Sequence, residues 1–243
     1  MMNVRILATD YDGTLAEKGR VSEATIHAVE KLKLTGRRLV LVTGRLLDEL
    51  IEVFPRIDLC DSVVAENGAI LYNPATRQKR MLAVPVPLLL VEEMKLRGVT
   101  PIFTGDTIIA TWRPHEDAVE EAITELGLDW NITLNKEAVM VLPYGVDKAS
   151  GLTAALAELD SSWENTAGVG DAENDVAFLV RCRCSAAVSN ALDSVKARAS
   201  FITRLARGAG VVELIEEILR DDLRSRCPRP PRSSEVPDAA SHA

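Results

Sequence analysis

The chain has 243 residues, with 28 Lys and Arg against 36 Asp and Glu, so its net charge is -8. Hydrophobic residues make up 47% and charged residues 26%, which allows a sizeable buried core and excludes overall disorder. The acidic balance argues against broad binding of nucleic acid or anionic membranes, which needs clustered Lys and Arg. No apolar run approaches the roughly 18 residues that span a bilayer, so we expect no membrane partner.

The cysteines and the N-terminal residues predict a cytoplasmic protein. Four cysteines in a chain of this length do not indicate a disulfide framework. Cys182 and Cys184 have the spacing C-x-C rather than C-x-x-C, and the histidines lie far apart, so we expect no structural zinc site. Asp10 and Asp12 fall where the apolar segment of a signal peptide would continue.

In chain order, the first third of the sequence alternates between strands and helices. Ser22 is a helix N-cap, Gly36 ends that helix, and a second helix ends at Pro55. An Asn-Gly turn then leads into a hairpin. The predicted strands are Val4–Thr9, Arg38–Val42, Ser62–Ala65 and Ala69–Tyr72. Strands that alternate with helices are typical of parallel βαβ units.

Residues 84–143 follow a different pattern. The order helix, hairpin, helix, hairpin predicts an αββαββ unit of about sixty residues, flanked by two proline-containing hinge segments. The βα alternation resumes at Asp147. We therefore predict an α/β fold in which a core of residues 1–83 and 144–222 is interrupted by a small α+β domain. Residues 223–243 hold four of the eleven prolines and few apolar residues, which predicts a disordered tail.

Two carboxylates follow the first predicted strand, in the sequence Asp10-Tyr11-Asp12-Gly13-Thr14. At a strand end, residues i and i+2 can both face the crevice at the carboxyl edge of the sheet, where open α/β sheets bind ligands. One carboxylate could attack an electrophile while the other transfers a proton. The alternative is an acidic turn without a role.

Two further candidates lie at helix starts. Thr43-Gly44-Arg45 offers a hydroxyl and backbone amides that suit a phosphate, although ordinary helix caps have the same pattern. Lys148 follows the insert directly, and a lysine there is either a phosphate contact or a solvated surface residue.

The stretch Gly168 to Asp175 places three acidic residues at a strand-to-helix turn. It departs from the dinucleotide fingerprint, because Glu173 replaces the third glycine and Asp171 would repel a pyrophosphate. Asp171, Glu173 and Asp175 offer hard oxygen ligands that suit Mg²⁺. The alternative is an acidic helix start that interacts with the helix dipole.

In this order the motifs resemble the haloacid dehalogenase superfamily, and specifically its Cof-type subclass IIB phosphatases. The resemblance runs from Asp10 through Gly170–Leu179 and Ser189-Asn190-Ala191 to Gly208–Val211, and Glu66-Asn67-Gly68-Ala69 matches a turn of this group. It implies a Rossmann-like parallel-sheet core with an inserted cap domain. The cap is similar to that of archaeal phosphoglycolate phosphatases and sucrose-phosphate phosphatases.

The resemblance implies a role for each candidate. Asp10 is the nucleophile that forms an aspartyl-phosphate, and Asp12 is the general acid and base. Thr43 and Gly44 bind the phosphoryl group, Lys148 neutralises its charge, and Asn174 orients Lys148 or the phosphate. Arg45 either contacts the substrate or braces its loop. The implied ligands of Mg²⁺ are Asp10, the backbone carbonyl of Asp12, Asp171 and Asp175.

The expected partner is a small phosphate ester, such as a sugar phosphate or a phosphoglycolate-like acid, and no prediction of oligomeric state is made. The cap residues Trp112, Arg113, His115 and Lys136 are candidates for facing the site, with surface or cap-core placement as the alternative. Two other functions stay open. A phosphomutase shares this fold and nucleophile, and a non-catalytic sensor could bind a phospho-ligand.

Overall fold

The computed structural model describes residues 4–228. Within this range the strands are β1 Ile6–Thr9, β2 Arg38–Val42, β3 Ser62–Ala65, β4 Ile70–Asn73, β5 Gln78–Met81, β6 Phe103–Thr104, β7 Ile109–Trp112, β8 Trp130–Asn135, β9 Ala138–Pro143, β10 Thr166–Gly170, β11 Cys184–Ala187 and β12 Phe201–Ile202. The helices are α1 Glu23–Leu34, α2 Leu47–Val53, α3 Leu88–Leu96, α4 Glu116–Glu125, α5 Lys148–Glu158, α6 Val176–Leu179, α7 Asp193–Lys196 and α8 Arg207–Asp221.

The core is an eight-stranded sheet in the order β12-β11-β10-β1-β2-β3-β4-β5. The six strands from β12 to β3 run parallel, and β4 and β5 continue the sheet as antiparallel strands. The first strand is therefore central, with Ile6 opposite Thr166 of β10 on one side and Arg38 of β2 on the other. The polar segments that follow β1, β2 and β10 consequently meet at one edge of the sheet.

The second sheet is antiparallel, in the order β6-β7-β9-β8. One of its faces packs against α3 and α4 through a cluster of buried apolar side chains. This sheet and its two helices lie within residues 84–143, and they form the cap. The predicted α/β fold, with a parallel-sheet core and a separate antiparallel cap sheet, is confirmed.

Local capping explains several helix boundaries. The Ser22 side chain accepts a hydrogen bond from the Thr25 backbone at the start of α1, and Gly36 adopts a φ of 80° just after that helix ends. The helix start predicted at the acidic turn before Asp175 is a 3₁₀ turn over Glu173–Asp175, which leads directly into the short helix α6. The edge strand β5 was not predicted.

The C-terminal segment corrects one prediction. Disorder from residue 223 is wrong for residues 223–228, because Leu223 is only 2% exposed and Arg226 donates two hydrogen bonds of 2.6 Å to Glu217. Cys227 forms a disulfide with Cys184 of β11. The density of cysteines indicates whether a chain is a disulfide-rich scaffold. It does not indicate whether one isolated pair forms a disulfide. The remainder of the predicted tail, residues 229–243, lies outside the described residues.

Within residues 4–228, no helix combines the length and the apolar character needed to cross a bilayer.

Candidate active site

Three buried carboxylates meet at the carboxyl edge of the core sheet. Asp10 follows β1, Asp171 follows β10, and Asp175 lies one turn beyond Asp171. Each contributes an oxygen to a group whose members lie within 4.8 Å of one another. The second oxygen of Asp175 accepts hydrogen bonds from the backbone amides of Asp171 and Ala172, which fixes its orientation.

Lys148 lies between two of these carboxylates. Its Nζ donates hydrogen bonds of 2.6 Å to Asp10 Oδ1 and to Asp175 Oδ1, and its side chain is 1% exposed. Asp147 precedes α5 and caps it together with Ser150, which places Lys148 in the first helical position. The interpretation of Lys148 as a solvated surface residue is therefore wrong.

Burial and mutual repulsion perturb the titration of this cluster. Burial, followed by the charge of Asp175, raises the pKa of Asp10 to about 8, although Lys148 opposes the shift. Burial also raises the pKa of Asp171, while the hydrogen bond from Lys136 opposes that shift. Burial alone would lower the pKa of Lys148, but the charges of Asp10 and Asp175 outweigh it and raise that pKa.

The cluster fits a divalent cation. Asp10 Oδ2 is buried and has no hydrogen-bond partner among the described residues, so a strong acceptor is left unused. The three carboxylates are hard oxygen donors of the kind that Mg²⁺ prefers. The carboxylate of Asp12 is not part of this group, and metal binding by its backbone carbonyl stays a prediction.

Asp12 instead faces Arg45. The guanidinium of Arg45 donates hydrogen bonds of 2.5 and 2.8 Å to the two oxygens of the Asp12 carboxylate. The same guanidinium lies 5.6 Å from the centre of the Tyr11 ring. Because the Asp12 side chain is 43% exposed, it stands at the open side of the cluster rather than inside it.

Thr43 and Gly44 line the same cleft as Asp10. The Thr43 side chain is buried and accepts a hydrogen bond of 3.1 Å from the Arg45 backbone amide. A Cβ at position 44 would come within 2.5 Å of the terminal methyl of Met140, so the cap lies directly on this loop.

Asn174 contacts Asn67 rather than Lys148. Its Nδ2 donates a hydrogen bond of 2.9 Å to Asn67 Oδ1, and both side chains are buried. Asn67 has a φ of 53°, and its backbone amide donates to the Thr43 carbonyl. The sequence identifies Asn67 only as a turn residue. The Glu-Asn-Gly-Ala motif is the sequence feature that could have indicated its buried contact with Asn174.

The four cap candidates have different environments. Lys136, in the turn between β8 and β9, donates a hydrogen bond of 2.6 Å from Nζ to Asp171 Oδ2. Trp112 lines the cleft beside the cluster. Arg113 pairs with Glu116, and His115 contacts the Thr100 carbonyl, so neither of these two reaches the site.

A cleft of about 420 Å³ lies between core and cap. Its core wall includes Asp10, Asp12 and the loop from Thr43 to Arg45, and its other wall is the cap sheet. Residues 7–95 and 109–215 match the model of a family described as haloacid dehalogenase-like hydrolase. The chain belongs to the haloacid dehalogenase-like hydrolases. The predicted membership is thus confirmed.

Relatives of known activity match this chain in sequence over nearly their whole length. A phosphoglycolate phosphatase of Methanothermobacter thermautotrophicus is 26% identical over 224 residues, covering 89% of this hydrolase and 99% of the relative. One from Haloarcula marismortui is 29% identical, with 86% and 95% covered.

Solved structures share the fold of this chain. A protein of Thermoplasma acidophilum has a TM-score of 0.77 at 18% identity, and 89% of this chain and 99% of that chain are covered. A subclass IIB sugar phosphatase of the superfamily has a TM-score of 0.73 at 19% identity, with 88% and 99% covered.

Proposed function

We propose that this hydrolase is a Mg²⁺-dependent phosphatase that cleaves a small phosphate monoester through an aspartyl-phosphate. The observation that carries the proposal is the Asp10 carboxylate, which is buried and lies beside Lys148 and two further carboxylates. Its Oδ2 has no hydrogen-bond partner among residues 4–228. The names of the relatives, phosphoglycolate phosphatase and sugar phosphatase, support the same reaction class.

In the proposed reaction, a carboxylate oxygen of Asp10 attacks phosphorus, and the bond between phosphorus and the ester oxygen breaks. Asp12, at the open side of the cluster, protonates the departing alkoxide. It then takes a proton from the water that attacks the aspartyl-phosphate, which releases inorganic phosphate and restores the Asp10 carboxylate. Arg45 orients the Asp12 carboxylate, and one of its two hydrogen bonds must open when that oxygen carries the proton.

Charge is the main obstacle to this attack, because a carboxylate and a phosphate dianion repel each other. Lys148 reduces the repulsion from the core side, and Thr43 and Gly44 orient the phosphoryl oxygens. The residues that would hold Mg²⁺ are Asp10, Asp171, Asp175 and the backbone carbonyl of Asp12. When bound, the ion would neutralise charge on the phosphoryl group and polarise it.

The test is phosphate release from a panel of monoesters by the wild type and by Asp10→Asn, with Mg²⁺ or EDTA. The panel contains phosphoglycolate, hexose phosphates, nucleoside monophosphates and an aryl phosphate. We expect Mg²⁺-dependent release that falls by more than about a thousandfold in Asp10→Asn, because the amide cannot act as the nucleophile.

Asp193→Asn is the matched control, since that carboxylate is fully exposed on α7 and should leave turnover unchanged. Circular dichroism would verify that both variants keep the fold. Substantial hydrolysis by Asp10→Asn, or no release from any ester by the wild type, would contradict the proposal.

A further inference from the structure

The cap sheet presents its two faces to different environments. Side chains alternate along each strand, and the face that carries Ile109 and Val141 packs against α3 and α4. The opposite face lines the cleft. Register places Phe103, Ala110 and Met140 in one row across three strands of this face. The wall opposite the proposed nucleophile is therefore set by alternate residues of β6, β7 and β9.

This wall is apolar over most of its area. The next row beyond Ala110 and Met140 consists of Trp112 and Ala138. Ile108 extends this apolar wall. Apart from Asp10, Asp12 and the loop Thr43–Arg45, the described residues with charged or amide side chains that line the cleft are Glu49 on the core and Asn135 at the rim of the cap. Arg45 also lines the cleft, but Asp12 already engages its guanidinium.

Two aromatic side chains of the wall stay open to solvent. Phe103 is 45% exposed and Trp112 is 47% exposed, and both line the cleft that contains Asp10 and Asp12. Apolar surface that lines a concave site is typical of ligand contact, because the ligand then removes it from water.

A polyhydroxylated leaving group fits this wall poorly. Each hydroxyl buried against Phe103, Met140 or the ring carbons of Trp112 would lose its hydrogen bonds to water and gain none, which disfavours binding. An apolar ring or chain in the same place has no hydrogen bonds to water to lose, and it covers the exposed aromatic surface.

We infer that the substrate is a phosphate monoester whose alcohol presents an apolar ring or chain to the cap, rather than a polyol sugar. The inference rests on the proposed phosphatase function and narrows it. The core holds the phosphate group, which all monoesters share. The apolar cap wall that includes Phe103 and Met140 selects the alcohol.

A matched pair of esters tests this selection. Glucose 6-phosphate and (tetrahydropyran-2-yl)methyl phosphate share the ring and the primary phosphate ester, and they differ only in the ring hydroxyls. With wild-type enzyme and Mg²⁺, we expect kcat/KM for the deoxygenated ester to be at least about tenfold higher. An equal or higher value for glucose 6-phosphate would overturn the inference and leave the phosphatase function standing.

Variants then locate the preference. Trp112→Ala and Phe103→Ala should each reduce the ratio of the two kcat/KM values by at least about threefold, since they remove apolar contact area. Leu96→Ala is the control, because Leu96 lies on α3, is 82% exposed and does not line the cleft, so the ratio should not change. A ratio unaffected by either aromatic substitution would overturn the inference. Failure of the wild type to hydrolyse any ester would overturn the phosphatase function itself.

Discussion

Asp10 lies in a cluster where negative charge is in excess. Three buried carboxylates face the ammonium groups of Lys148 and Lys136, and burial raises the pKa of Asp10 to about 8. Without a cation the folded protein therefore holds a proton at Asp10 more tightly than the unfolded chain does. Cation binding must release that proton, so the two are linked.

This linkage predicts a pH-dependent effect of Mg²⁺. Because the folded-state pKa of Asp10 is raised from 3.8 to about 8, the stability of the metal-free protein falls as pH rises between these values. The increase in Tm on adding Mg²⁺ should therefore grow between about pH 6 and about pH 8. Thermal unfolding with Mg²⁺ or EDTA at several pH values measures it.

Asp10→Asn provides the control for that experiment, since an amide does not titrate and most of the pH dependence of the Mg²⁺ effect should disappear. A Mg²⁺ effect on Tm that is constant with pH in the wild type would show that proton release at Asp10 is not linked to cation binding.

At the level of elements, we expect Lys136, in the turn between β8 and β9, to compete with the cation for Asp171. Lys136 Nζ lies 2.6 Å from Asp171 Oδ2, so this ammonium occupies a carboxylate oxygen that the cation would use. We expect Lys136→Met to bind Mg²⁺ several-fold more tightly than the wild type, as measured by calorimetric titration.

Lys79→Met is matched to this variant. Lys79 also bridges core and cap, through an ion pair of 2.5 Å with Asp106, but it contacts none of the carboxylates in the cluster. Its Mg²⁺ affinity should equal that of the wild type. If Lys136→Met bound Mg²⁺ equally or more weakly, Lys136 would not be a competitor.

A further connection between core and cap is the buried Glu66 carboxylate. It accepts hydrogen bonds from the backbone amides of Asp106 and Thr107 and from the Thr107 hydroxyl. The approach is so close that a Cβ at Gly105 would lie 2.6 Å from the Glu66 carboxyl carbon. The turn between β6 and β7 is thus held by the buried Glu66 carboxylate, in addition to the exposed ion pair of Lys79 with Asp106.

Glu66→Gln should destabilise the protein by about 1–3 kcal/mol, because the amide NH₂ would face at least one of these donors. Urea unfolding gives the loss, and faster hydrogen exchange in residues 105–108 would place it at the turn. Glu158→Gln, which breaks an exposed pair with Arg80, should change stability by less than about 0.5 kcal/mol. Equal effects of the two substitutions would rule out a special role for Glu66.

For the whole molecule, the disulfide ties the chain beyond α8 to the core sheet. Cys184 and Cys227 close a loop over a sequence separation of 43 residues, so reduction should increase the entropy of the unfolded chain. We expect a reductant to lower the free energy of unfolding by up to about 4 kcal/mol. Cys227→Ser should match the reduced wild type and show no further response to reductant. If reductant left the stability of the wild type unchanged, the cross-link would carry no stabilisation.

Sequence could predict the parts of this molecule that are local. Asp10, Thr43 and Asp171 each directly follow a strand of the core, so the sequence alone could assign them to one sheet edge. The edge strand β5 escaped prediction because all four of its residues are exposed and show no burial pattern. Contacts between separate units, such as Lys136 with Asp171, depend on docking and leave no local signature.

Because β1 lies between β2 and β10, its two neighbours in the sheet are synthesised at very different times. One neighbour, β2, follows soon after it, whereas the other, β10, begins only at Thr166 and is translated after the entire cap. Until that segment leaves the ribosome, one backbone edge of the central strand lacks its native partner. Asp171 and Asp175 arrive with the same segment, so a nascent chain completes its central sheet and its carboxylate cluster in one late step. A prematurely terminated chain would carry Asp10 on an open strand edge, where pairing with other chains is favoured.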